Sequence, residues 1–176
     1  MRDNYENYPL WIVIVTAVFS FSSYIAGSLI LSSLGTFWLI LYLLYILFME
    51  LRLLKSGCVN CYYFGKTCAF GKGRLSCLLF RKGDTKKFAH RKMTWKDIIP
   101  DFLVTLVPVI AGIVILIKNF SWLMLGLVTW LLLATFVGNA IIRGHLACKY
   151  CKQRKLGCPA EQLFGKSKKS FTFCSV

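Results

Sequence analysis

Acidic residues and histidine are scarce in this sequence. Its 176 residues include seven Asp and Glu and two His, against 22 Lys and Arg. Haem held by two histidines needs both on facing helices, but His90 and His145 lie outside the long apolar segments. Proton-coupled transport needs ionisable groups near the membrane midplane. The apolar segments have charges only near their ends, so both function classes are disfavoured.

Long hydrophobic runs dominate what remains. Hydrophobic residues make up 57% of the chain and the mean hydropathy is +0.61, values typical of a membrane protein. A helix needs about 20 apolar residues to cross a bilayer, and four runs qualify: residues 9–31, 36–54, 98–117 and 122–142. The first run has no small-residue cleavage signal, so we expect a retained span. The sequence predicts an all-α polytopic membrane protein with four transmembrane helices.

The basic residues predict an orientation. Twelve of them lie in residues 51–97 and eight in residues 143–176. Positively charged loops stay in the cytoplasm. We therefore expect a multi-pass cell-membrane protein with both termini in the cytoplasm, and only the short links SSLGT and KNFS outside.

The predicted architecture repeats along the chain. A transmembrane hairpin (residues 1–54) is followed by a cytoplasmic segment rich in Cys and Lys (residues 55–97). A second hairpin (residues 98–142) is followed by a similar tail (residues 143–176). The same cysteine spacing follows each hairpin, which indicates a duplication of one hairpin with its Cys-rich segment.

Cysteine is confined to these two polar segments. In each, two cysteines separated by two residues are followed by a third after six more, and a further cysteine lies beyond. The eight are Cys58, Cys61, Cys68, Cys77, Cys148, Cys151, Cys158 and Cys174. Disulfides are rare in a reducing cytosol, so clustered cysteines there indicate metal ligands or redox thiols. The repeated spacing favours metal.

Several ligand sets satisfy the four bonds that Zn²⁺ or an iron–sulfur cubane requires. Each segment could use its own four cysteines, or His145 or His90 in place of a distal one. Alternatively, Cys58 and Cys61 could pool with Cys148 and Cys151 in one site across a pseudo-twofold axis. The sequence leaves these sets open.

Zinc is the favoured metal, because no companion redox cofactor site is visible, and an iron–sulfur cluster is the alternative. Cys158 precedes a proline, as a ligand does in some iron–sulfur motifs. We expect the surrounding lysines to offset thiolate charge and to lower the thiol pKa values. The lysines concerned are Lys66, Lys72, Lys149, Lys152 and Lys155.

These features predict a non-catalytic integral membrane scaffold or complex subunit. Its cysteine-ligated metal modules would lie at the cytoplasmic membrane surface and dock a protein partner. The basic segment Arg81–Lys96, with interleaved aromatic residues, fits anionic lipid headgroups or an acidic protein better than nucleic acid. The alternatives are a redox subunit, moving electrons through an iron–sulfur centre or exchanging disulfides, and a metal-handling membrane protein.

Overall fold

The computed structural model describes residues 4–85, 88 and 95–159. Within them the chain is helical, and no strand forms beyond one isolated bridge between Tyr5 and Cys151. The helices are α1 (Leu10–Ser32), α2 (Thr36–Ser56), α3 (Lys72–Leu79), α4 (Trp95–Lys118), α5 (Trp122–Leu133), α6 (Asn139–Ile141) and α7 (Lys152–Leu156). A 3₁₀ turn covers Cys58–Asn60, and two π-helical segments cover Ala134–Gly138 and Ile142–Ala147.

Four helical stretches are long and apolar enough to cross a membrane, which confirms the prediction of four spans. They are Leu10–Ser32, Thr36–Asn60, Asp97–Lys118 and Trp122–Ala147. Large apolar side chains on these helices face outward, as Trp122 does with 78% of its surface exposed. Outward-facing apolar side chains are expected where a helix contacts lipid instead of water.

The fourth span differs from the regular helix predicted for residues 122–142. It continues to Ala147 and widens twice into π-helical turns. Polar side chains compete for the backbone carbonyls there: the Thr135 hydroxyl donates to the carbonyl of Leu131 at 2.7 Å, and the side-chain Nδ2 of Asn139 donates to the carbonyl of Thr135 at 3.2 Å. The amide of Cys148 then donates to the carbonyl of Arg143, five residues back, at 2.8 Å. The first motif cysteine of the second segment therefore follows a π turn.

The chain divides into two compact units. We call the first, built from Val18–Glu50 and Lys96–Asn139, the bundle unit. We call the second, built from Met1–Ala17, Leu51–Trp95 and Ala140–Val176, the cysteine unit, because all seven described cysteines belong to it. The cysteine unit thus assembles three segments that are far apart in sequence.

The bundle unit has an apolar core and one bond that compensates for a proline. Its buried core residues are Ala26, Ile30, Val109, Met124, Val128 and Leu131. Pro108 lies inside α4 and is fully buried. Proline has no N–H, so the carbonyl four residues earlier, that of Val104, loses its helical donor. The Tyr42 hydroxyl of α2 donates to that carbonyl at 2.9 Å. A proline in a membrane helix is therefore accommodated by a tyrosine from the neighbouring helix.

Candidate metal centre

The two Cys-x-x-Cys sequences form the same backbone turn. The amide of Cys61 donates to the carbonyl of Cys58 at 3.2 Å, and that of Cys151 donates to Cys148 at 3.3 Å. Cys61 and Cys151 both have extended backbones, with φ and ψ of −83° and 152° in the first case and −76° and 120° in the second. A second turn follows in both motifs. The Phe64 amide donates to the carbonyl of Cys61 at 3.1 Å, and the Arg154 amide donates to the carbonyl of Cys151 at 3.3 Å.

The two turns are joined by a reciprocal pair of hydrogen bonds. The Tyr62 amide donates to the side-chain oxygen Oε1 of Gln153 at 2.7 Å. The Lys152 amide donates to the hydroxyl of Tyr63 at 3.0 Å. In each bond the donor is the backbone amide of the residue that directly follows the second cysteine of one motif. The acceptor is the side chain of the residue two positions after the second cysteine of the other motif. Gln153 is 2% exposed, and its Nε2 donates to the carbonyl of Gly157 at 2.9 Å.

The N-terminal segment before α1 bonds to both motifs. The Tyr8 amide donates to the carbonyl of Thr67 at 2.9 Å, and its hydroxyl donates to the carbonyl of Ala147. The Tyr5 amide donates to the backbone carbonyl of Tyr150 at 3.2 Å. The Tyr63 hydroxyl donates to the carbonyl of Tyr5 at 2.7 Å. Residues 5–8 therefore tie the first polar segment to the second.

The third cysteine of the first motif lies on a loop that glycine allows to fold back. The amide of Gly73 donates to the sulfur of Cys68 at 3.3 Å, and the carbonyl of Gly73 accepts from Gly65 at 3.0 Å. A Cβ at position 73 would overlap the carbonyl oxygens of Tyr63 and Lys66. Gly71 has φ of +70°, which favours glycine.

These connections create a small mixed core around the cysteines. Its buried members are Tyr8, Ile12, Tyr63, Ala69 and Ala147. Cys61, Cys68 and Cys151 pack against it, so cysteines from both motifs contact one cluster. Cys58, Cys148 and Cys158 are also partly buried, whereas Cys77 on α3 is exposed.

None of the seven described cysteines forms a disulfide. Among residues 4–85, 88 and 95–159, no three or more His, Cys, Asp and Glu side chains are grouped closely enough to hold an ion. His145 is exposed on the second π-helical segment, and His90 and Cys174 lie outside the described residues. The metal assignment of the eight cysteines therefore remains a prediction.

The expected lowering of thiol pKa values by lysine is wrong for two cysteines. Burial is the main cause that raises the pKa of Cys61 to about 11; a backbone hydrogen bond from Tyr63 opposes it, and the neighbouring thiols of Cys151, Cys68 and Cys158 add smaller upward contributions. Burial likewise raises the pKa of Cys151. Desolvation of the thiolate is the largest cause for both cysteines and outweighs the hydrogen bonds that favour the thiolate.

Lysine ammonium groups nearby are engaged with tyrosine rings and one carboxylate. Lys66 lies 4.4 Å and Lys152 lies 5.2 Å from the centre of the Tyr62 ring, and Lys149 lies 5.4 Å from that of Tyr150. Lys152 also forms an ion pair with Glu6. These cation–π contacts hold positive charge beside the motifs.

Comparison with protein-family models, curated proteins and solved structures finds no match. The part of the chain that the structure describes is helical, and its four apolar helices indicate a multi-pass membrane protein.

Proposed function

We propose that this chain is an integral membrane scaffold or complex subunit. Its cysteine unit folds around bound metal, with zinc favoured, at the cytoplasmic membrane surface and docks a protein partner. The single observation that supports this most strongly is the reciprocal pair of hydrogen bonds between Tyr62 and Gln153 and between Lys152 and Tyr63. It brings two cysteine motifs together that are about ninety residues apart in sequence.

The chemistry of the donor set supports metal over free thiols. Cysteines from both motifs pack against one small cluster, and none of the described cysteines is in a disulfide. Cys61 and Cys151 have raised pKa values, so they are poor thiolate nucleophiles at neutral pH without a metal. A bound cation stabilises the thiolate directly and couples folding to binding. The partly buried thiols therefore fit ligands better than disulfide-exchange groups.

The size of the cluster also supports a folding role for metal. Among the described residues, five buried side chains form its centre, and two of them, Tyr8 and Tyr63, have hydroxyl groups. Small polar domains commonly need a structural metal or disulfides because their cores bury too little apolar surface. A metal centre here would hold the three segments of the cysteine unit in one arrangement.

An anionic membrane surface is the proposed lipid partner of the same unit. On α3 the side chains of Leu75, Leu78 and Leu79 are spaced to share one face, and they are 46%, 83% and 54% exposed. Gly73 and Ser76, on the other face, are buried. The basic residues Arg74, Arg81 and Lys82 flank this apolar face and are also exposed. Such a combination is typical of a helix that lies in the headgroup region.

The proposed protein partner has an acidic surface. The chain has a formal net charge of +15, and most of its basic residues belong to the two polar segments. Charge complementarity of this kind speeds association and selects acidic partners.

The experiment that tests the metal proposal is an elemental analysis of the full chain, purified anaerobically in detergent, with its visible spectrum. Bound zinc without colour supports the scaffold. Iron with acid-labile sulfide and a brown colour would favour the redox alternative. Protein without metal, whose cysteines are isolated as disulfides, would overturn both.

A second readout separates folding from simple binding. Chelation should make residues 57–85 sensitive to protease while the bundle unit stays resistant, because only the cysteine unit depends on the metal. Protease sensitivity that chelation leaves unchanged would contradict a structural role for the metal.

A further inference from the structure

Four polar side chains from the three segments of the cysteine unit meet at its surface. We call Glu6, Tyr62, Lys66 and Lys152 the Tyr62 cluster. The Lys66 ammonium donates to the Tyr62 hydroxyl at 3.1 Å and lies 4.4 Å from the centre of its ring. The Lys152 ammonium lies 5.2 Å from the same centre and forms an ion pair with the Glu6 carboxylate. Two ammonium groups therefore converge on one phenol.

Both ammonium groups act on the same two acidic groups. Hydrogen bonding with Lys66 and, to a smaller extent, with Lys152 lowers the pKa of the Tyr62 hydroxyl. Hydrogen bonding with Lys152 is the main cause that lowers the pKa of Glu6, and the charges of Lys152 and Lys66 add to it. Glu6 is thus an anion that the lysine pair already holds. The pair has one positive charge more than this carboxylate balances.

The Tyr62 cluster lies beside the ends of three spans. The first span begins at Leu10, four residues after Glu6. The second ends at Asn60, two residues before Tyr62, and the fourth ends at Ala147, five residues before the second lysine of the cluster. Two residues of extended chain reach at most about 7 Å, and the headgroup layer on one side of a bilayer is about 5–7 Å deep. In a membrane, the cluster therefore lies at the level of the lipid phosphates.

The donors of the Tyr62 cluster fit a phosphate monoester. Such a group has three acceptor oxygens and a charge of about −1.5 to −2 at pH 7. Two ammonium groups and the Tyr62 hydroxyl supply three donors, and the two positive charges match the dianion. A phosphate diester has a single negative charge, so it would leave one ammonium uncompensated. The Glu6 side chain is 67% exposed, and exposed ion pairs are weak, so an incoming phosphate can displace this carboxylate.

We propose that the Tyr62 cluster binds the phosphomonoester headgroup of an anionic lipid, which displaces Glu6 from the two lysines. This inference rests on the proposed function, in which the cysteine unit contacts an anionic membrane surface. It assigns to that contact a headgroup chemistry, a binding site and a competing group within the chain. Basic sites at the ends of membrane helices are a recognised way to hold lipid headgroups.

The test measures lipid binding to the full chain in detergent by native mass spectrometry. Dioleoyl phosphatidate has the monoester, and dioleoyl phosphatidylglycerol has a diester with the same acyl chains. We expect phosphatidate to bind about tenfold more tightly, because it gains one further charged hydrogen bond. Lys66→Met and Lys152→Met keep the aliphatic part of the side chain, and each should abolish most of this preference.

Two further variants separate recognition of the phosphate from folding of the cysteine unit. Lys149→Met removes an ammonium group that lies beside the Tyr150 ring, outside the Tyr62 cluster, and should leave the preference for phosphatidate unchanged. Glu6→Gln removes the competing carboxylate and should tighten phosphatidate binding about two- to fivefold, the range that exposed ion pairs contribute. A gain in affinity cannot result from a misfolded chain.

Four results would overturn the inference. Equal binding of the two anionic lipids, or a preference that both cluster-lysine variants retain, would refute the site and leave the anionic surface of the proposed function standing. Weaker phosphatidate binding by Glu6→Gln would refute the displacement of this carboxylate. Glycerol 3-phosphate that displaces the lipid at equal concentration would identify a soluble phosphate as the ligand. A chain that binds neither anionic lipid better than phosphatidylcholine refutes the site and the anionic-membrane contact together.

Discussion

The hydroxyl of Tyr42 in α2 donates a hydrogen bond of 2.9 Å to the carbonyl of Val104 in α4. Pro108 removes the helical donor of that carbonyl, so the tyrosine replaces a missing backbone N–H. We expect Tyr42→Phe to lower the free energy of unfolding by about 1 kcal/mol, measured by steric trapping in bicelles. In a Pro108→Ala background the same change should have a smaller effect, because the backbone donor is restored. If Tyr42→Phe destabilised both backgrounds equally, the tyrosine hydroxyl would not be substituting for the N–H that Pro108 lacks.

Gly138 in the first π-helical segment packs against Phe19 of α1. A Cβ at this position would overlap the Phe19 ring, whereas one at Gly126 in α5 would meet nothing within 4 Å. We expect Gly138→Ala to destabilise the bundle unit by about 1–3 kcal/mol and to lower the Tm in detergent. Gly126→Ala is the matched control and should be neutral or slightly stabilising. The double variant Gly138→Ala with Phe19→Leu should recover part of the loss.

Gln153 supplies one half of the reciprocal contact between the motifs. Gln153→Ala should raise the hydrogen-exchange rate of the Tyr62 amide about tenfold, because its acceptor is lost and the bond is worth about 1 kcal/mol. Gln153→Glu keeps a side-chain oxygen and should preserve that protection while losing the donor to Gly157. Fast exchange of the Tyr62 amide in the unsubstituted chain would show that the contact does not form.

The predicted orientation can be tested with membrane-impermeant thiol reagents. Reagent added outside intact cells should label none of the eight cysteines, because the basic segments are expected inside. Reagent added to inverted vesicles should label the exposed Cys77. Lys118→Cys, at the last residue of α4 beside the short link to α5, provides the control and should react only from outside. Labelling of Cys77 in intact cells would reverse the orientation.

The apolar face of α3 predicts a depth in the membrane. A nitroxide at Leu78→Cys, placed in a Cys77→Ser chain, should be relaxed more by oxygen than by a polar nickel complex in anionic nanodiscs. A label at Asp84→Cys, an exposed position in the following segment, should show the opposite preference. Equal preference for the nickel complex at both positions would exclude contact of α3 with lipid.

The four spans could be predicted because run length and hydropathy alone determine whether a helix can cross a bilayer. The paired Cys-x-x-Cys turns are also local, so their spacing already predicts two similar turns. The π-helical segments could not be predicted, because they depend on how Thr135 and Asn139 bond to the backbone of a particular helix.

The contact between the motifs was also beyond prediction. It depends on Gln153 and Tyr63 meeting residues about ninety positions away, and neither residue type indicates such a partner. Tyr8 lies next to a span, where interfacial aromatic residues are common, so its position in the sequence gives no sign of its hydrogen bond to the carbonyl of Ala147. The N-terminal tyrosines were therefore missed as parts of the cysteine unit.

The bond between Tyr8 and Ala147 spans 139 positions of the sequence, and this separation sets an order for assembly. The N-terminal segment leaves the ribosome first, but its acceptors at Ala147 and Tyr150 are made after the last transmembrane helix. The cysteine unit can therefore close only when all four helices have been synthesised. Loading of metal into a closed centre would be a late event in biogenesis, and a ribosome stalled before residue 147 would expose an open, unprotected first motif.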